Sequence, residues 1–116
     1  MNYTKMTLEE LFVELRLAAI AEYELGEGEA QLKAVQAEAV IVREIATRDG
    51  AIEHYRFLLK DSHPSVKLRA ALGIKKDDPP GAMRVFKDLV ESNAVSGVPI
   101  TALQELMVME KNGIRI

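Results

Sequence analysis

The residues best suited by type to hold a metal ion are the two histidines, His54 and His63, with the carboxylate of Asp61 between them. Their spacing argues against such a site. Transition-metal ligands on helices commonly sit one turn apart on one face, whereas these three bracket a turn. The chain has no cysteine, so no thiolate can complete the set. We therefore read His54 as a surface helix residue and His63 as a residue shaping a proline turn, and we expect no metal and no cofactor. Glu22, Glu24, Glu27 and Glu29 surround Gly26 and Gly28 but lack the alternating aspartates of a calcium loop. Glu27 and Glu29 instead suit a helix start, where carboxylates meet exposed N–H groups.

Nucleophilic and phosphate chemistry find little support. Ser62, Ser65, Ser92 and Ser96 occupy no Gly-x-Ser-x-Gly setting, and no Gly-x-x-x-x-Gly-Lys loop is present. The expectation is a protein that is not an enzyme and has no catalytic residues. Arg56, Lys60, Lys67, Arg69, Lys75, Lys76, Arg84 and Lys87 make segment 56–87 lean basic, but Asp61, Asp77, Asp78 and Asp88 are interleaved with them. With a pI near 5.4 and no aromatic stacking pattern, we expect no nucleic-acid binding. Arg69 is expected to bond to Asp61 across the turn and so hold two helices together.

These residues have to be positioned by one chain of 116 residues, a length that fits a single domain spanning 1–116. No run approaches the roughly 18 apolar residues of a membrane span, and the first residues lack a signal core. A soluble protein in the cytoplasm, with no membrane partner, is expected. The net charge of −3 divides unevenly: residues 1–50 carry −5 and residues 51–116 carry +2. In a stacked helical protein this split makes one end acidic and the other mildly basic.

Period-3.6 patterning runs through the chain and strand alternation is nowhere sustained. Thr7 and Glu10 form a capping box ahead of a helix from Leu8 to about Leu25, closed by Gly26 and Gly28. A second helix from Glu29 to Arg48 carries two adjoining apolar stripes. One comprises Leu32, Val35, Ala39, Val42 and Ala46, and the other Ala34, Ala37, Ile41 and Ile45. Two stripes predict neighbours on two sides. Asp49-Gly50 ends it.

A third helix should bury Ile52, Tyr55, Leu58 and Leu59, and a fourth, entered through Pro64, should bury Val66, Ala70 and Ile74. Asp78 is placed to cap a fifth helix from about Pro80 to Glu91 with Met83, Phe86, Leu89 and Val90 inward. Residues 92–99 read as a loop. A sixth helix from about Ile100 to Lys111 should bury Leu103, Leu106 and Met107.

The run Leu58-Leu59-Lys60-Asp61 followed by His63-Pro64-Ser65-Val66-Lys67-Leu68-Arg69-Ala70-Ala71 resembles a HEAT-like repeat, in which a Leu-Leu-x-Asp helix end leads through a proline turn to a Val-Lys/Arg-x-x-Ala-Ala helix. More narrowly, the stretch from about Glu29 to Gly113 resembles a small bacterial family catalogued as domain of unknown function number two thousand and nineteen. The shared order is a long helix, a Leu-Leu helix, His-Pro, the Val-Lys-Leu-Arg-Ala-Ala helix, a break at Pro79 and two more helices. Gly73 and the Lys-Lys-Asp-Asp-Pro-Pro run depart from the alanine-rich link of that pattern. The resemblance implies a HEAT/armadillo-like α-α superhelix and supplies no catalytic residues.

The fold expected is all-α with about six helices, as a compact bundle or, as the short turns between helices three, four and five favour, a right-handed superhelix of stacked antiparallel pairs, and the function expected is a non-enzymatic protein-interaction module. A bacterial immunity or toxin-neutralising protein is the more specific alternative, and a nucleic-acid-backbone binder using segment 56–87 is another. The C-terminal helix carries Leu103, Leu106, Met107, Val108 and Met109, more apolar surface than one interior face needs. These residues, with the Ile114-Arg115-Ile116 tail, are the candidate surface for a protein partner or a homodimer.

Overall fold

A computed structural model of the chain describes residues 2–92 and 97–114, and these form six α-helices, one short 3-10 turn at Tyr3–Lys5, and no strand. The helices are α1 (Leu8–Leu25), α2 (Glu29–Ile45), α3 (Ala51–Leu58), α4 (Pro64–Ile74), α5 (Pro79–Glu91) and α6 (Val98–Lys111). The all-α expectation with six helices holds. Residues 93–96 of the expected loop, Ser96 among them, and Arg115 and Ile116 of the tail lie outside the described residues. The contacts divide the chain into two compact units, Met1–His54 and Tyr55–Ile116.

In the first unit α1 packs along α2. Thr7 starts α1 as the sequence predicts. Its Oγ1 accepts from the Glu10 N–H at 3.2 Å, and Glu10 Oε1 accepts from the Thr7 N–H at 2.9 Å. Gly26 and Gly28, at φ of +70° and +117°, supply the left-handed backbone that turns the chain from α1 into α2. Leu11, Leu15 and Ala19 of α1 and Ile41 and Ile45 of α2 are buried. Each large side chain among them contributes about 1.5–3 kcal/mol.

Two expectations for α2 are corrected. The helix ends at Ile45, and residues 46–48 follow as turns and a bend. Of its two apolar stripes only the one through Ile41 and Ile45 is buried. Leu32, Val35, Ala39 and Ala46 are exposed and Val42 is half-buried, while α1 packs along α2 on the side of Ile41 and Ile45. Glu38 falls within the buried stripe and is only 2% exposed.

Arg48 ties the start of the unit to the end of α2. Its Nη1 donates to the Met6 carbonyl at 2.7 Å, Nη2 to that of Thr4 at 3.1 Å, and Nε to Glu44 Oε2 at 3.0 Å. His54 is half-buried rather than a surface residue, its ring stacked on Phe12 with centroids 5.0 Å apart and planes 17° apart. Phe12 has a broad apolar ring to cover, and the first turn of α3 brings the imidazole over it.

In the second unit α4 packs on α5, α5 on α6, and α4 more lightly on α6. Tyr55 and Leu58 of α3 are buried while Ile52 and Leu59 are only half-buried, so the inward face of α3 is narrower than its pattern predicts. Tyr55 lies against Gly73 of α4, where any Cβ would run into its ring. Val66, Ala70 and Ile74 are buried as expected. Pro64 takes the first position of α4, and His63 caps it, Nδ1 accepting from the Ser65 N–H at 3.2 Å. Asp78 caps α5 by accepting from the Gly81 N–H at 3.1 Å. Met83, Phe86 and Leu89 are buried and Val90 is half-buried. Lys75 of α4 pairs with Glu105 of α6 at 3.0 Å.

Candidate interaction surface

The helix α6 starts at Val98, two residues earlier than the apolar pattern predicts, because Pro99 suits a first turn as well as it suits a loop. Its inward residues are Val98, Ala102, Leu106 and Met109, which recur at four- and three-residue spacing. Leu103 and Met107, expected in the core, are instead exposed. α5 and α4 pack against one side of α6, where the small Ala102 is fully buried.

The five residues expected to form a partner surface are therefore split. Leu106 and Met109 are committed to the core of the second unit. Leu103, Met107 and Val108 are outward, at 46%, 61% and 57% exposure. The structure adds Ile100, 62% exposed, which sequence reasoning missed. Its spacing of three and seven residues to Leu103 and Met107 was the available signal. Ile100, Leu103 and Met107 form a stripe opposite the buried one, with Gln104 and Val108 along its edge.

This stripe is uncharged over most of its length. Between Val98 and Met109 the only charged residue is Glu105, and its carboxylate is turned to Lys75. Glu110 and Lys111 follow at the last turn, both exposed. Other outward apolar residues are Val13, Leu17 and Leu25 on α1, Leu32, Val35 and Val40 on α2, and Phe57 on α3, and those of α2 alternate with Lys33, Glu38 and Arg43 along the sequence.

His54 belongs to the first unit and His63 to the second. His63 is occupied in the turn, its own N–H donating to Asp61 Oδ1 at 2.9 Å while Nδ1 caps α4. Among the described residues no group of three or more histidines and carboxylates is placed to hold a metal ion. Glu29 pairs only loosely with Lys33 at 4.0 Å, and both are solvent-exposed. Ser92 Oγ donates to the Leu89 carbonyl at 2.7 Å, closing α5, and Ser62 is exposed.

In the basic-leaning segment Lys75 pairs with Glu105, and Lys60, Lys76, Arg84 and Lys87 are exposed. A groove of about 290 Å³ in the second unit is lined by Leu59, Val85 and Leu89 together with the oppositely charged Lys67 and Asp88. It holds no imidazole or thiol. Burial pushes the Tyr55 phenol above its ordinary range, an effect that the nearby charge of Arg69 partly offsets.

Among the described residues no helix is long and apolar enough to cross a membrane. Comparison with protein-family models, with curated proteins and with solved structures finds no match to this chain.

Proposed function

We propose that this chain is a non-enzymatic protein-interaction module, built on a HEAT-like helical plan and acting in the cytoplasm, whose contact surface is the outer face of α6. The observation that carries the reading is the second apolar face of that helix, Ile100, Leu103, Met107 and Val108, all close to half exposed or more. A helix apolar on opposite sides ordinarily has neighbours on both, and α4 and α5 occupy only one. The near absence of charge along the stripe separates it from ordinary solvated helix surface. The turn through His63 and Pro64 into α4, and the seating of the Tyr55 ring on Gly73, are the features that favour a HEAT-like plan. A toxin-neutralising role would be one instance of such a module.

The reading is tested by placing the photo-crosslinker benzoylphenylalanine at position 107 and irradiating in native lysate. A discrete protein adduct is expected from position 107 and none from the exposed position 87 on α5. A folded protein giving no discrete adduct at 107 would remove the reading.

A further inference from the structure

We infer that the partner of the α6 face is a second copy of this chain, whose α6 lies antiparallel across this one so that Ile100 of each copy meets Met107 of the other. The inference rests on the interaction-module reading and names its partner. It follows from the self-complementarity of the stripe. When two α6 helices run antiparallel about a two-fold axis between Leu103 and Gln104, Ile100 and Met107 exchange places and the two Leu103 side chains meet near the axis. Every outward apolar residue of the central stripe then faces another.

Charge supports the same register independently. Gly97, just ahead of α6, offers no capping side chain, so among the described residues this helix start, like that of α2 after Gly28, has no side-chain acceptor of the kind that Thr7, His63 and Asp78 supply to α1, α4 and α5. The alignment that pairs Ile100 with Met107 brings the exposed Glu110 of the second copy opposite Gly97. An acidic side chain thus reaches an uncapped helix start at each end of the interface. The opposed axes of the two helices add a favourable dipole arrangement.

The contact is of limited size. Four apolar side chains near half exposure supply on the order of half of the about 800 Å² per partner that stable complexes bury. The expected dimer is accordingly reversible, with Kd in the region of ~10 µM.

The chain has no native cysteine, so single cysteines report the register directly. Ile100→Cys and Met107→Cys proteins, mixed under mild oxidation, are expected to form a mixed disulfide at least about tenfold faster than either forms its own dimer, as an antiparallel pairing requires. Light scattering across the micromolar range should show a monomer–dimer equilibrium. Met107→Glu should abolish it and Met107→Leu retain it, circular dichroism confirming that both are folded.

Faster disulfide formation within either single variant, or a wild-type monomer throughout that range, overturns the inference. So does a position-107 photo-adduct whose mass is not that of two chains, although that result would leave the interaction-module reading standing.

Discussion

Tyr55 and Gly73 form a ring-on-backbone contact in which the phenol occupies the space that a side chain at position 73 would need. Glycine inside a helix ordinarily costs about 1 kcal/mol relative to alanine. Here the missing Cβ leaves room for the Tyr55 ring, which is buried.

Gly73→Ala is therefore expected to destabilise the protein by about 1–3 kcal/mol, although alanine is the better helix former. Urea unfolding measures it. Shrinking the ring with Tyr55→Leu should recover part of the loss, giving a non-additive double-mutant cycle. A Gly73→Ala protein more stable than wild type would show that the ring does not rest there.

Arg48 holds the carbonyls of Tyr3, Thr4 and Met6 and the carboxylate of Glu44, so Arg48→Ala removes several charge-assisted bonds at once. The expected loss is about 1–3 kcal/mol, with hydrogen exchange accelerating at residues 3–8 before it does in the second unit. Arg48→Lys should recover little, because one ammonium cannot reproduce the planar fork. Equal exchange at residues 3–8 in wild type and Arg48→Ala would sink this account.

Stability should fall at both ends of the pH range. Hydrogen bonds from Thr7 hold the Glu10 carboxyl below its ordinary value of 4.5, and bonds from Thr47 and Arg48 do the same for Glu44. A depressed carboxyl pKa stabilises the fold above the unfolded value, and that contribution is lost as pH falls through the lower, folded value. Acid loosening is thus expected below pH 4.5, and Glu10→Gln, which keeps a neutral capping box, should weaken it.

Tyr55 works in the opposite direction. Its raised phenol pKa gives a contribution fully present below the ordinary value of 10 and lost as pH climbs through the higher, folded value. Absorbance at the phenolate band should show one tyrosine titrating late, and Tyr55→Phe should remove both that step and part of the alkaline loss. A midpoint of unfolding flat from neutral pH to beyond 10 would contradict the assignment.

What the sequence made legible was short in range. The capping box at Thr7 and Glu10, Pro64 at the first turn of α4 and the Asp78 cap each involve residues at most three apart, and local chemistry fixed them. The choice between two apolar stripes was not legible for α2 or α6. Either stripe satisfies the helical period, and only the placement of a neighbouring helix selects one. For the same reason Leu103 and Met107 were expected inside. Arg48 escaped notice because its carbonyl partners lie more than 40 residues away and carry no side-chain signature. Gly73 could be seen as unusual in its helix, but the ring it accommodates could not.

Glu38 sits in the same inward row as Ile41 and Ile45, and it acts as an index mark on the α1–α2 hairpin. An uninterrupted oily seam would let one helix creep along the other by a turn with little penalty. A carboxylate in that seam makes the slipped arrangement costly, since it would have to be desolvated afresh against a different wall. Glu38→Leu is accordingly expected to multiply or broaden amide resonances from α1 and α2. A single sharp set of resonances in that variant would mean that the hairpin keeps its alignment by shape alone.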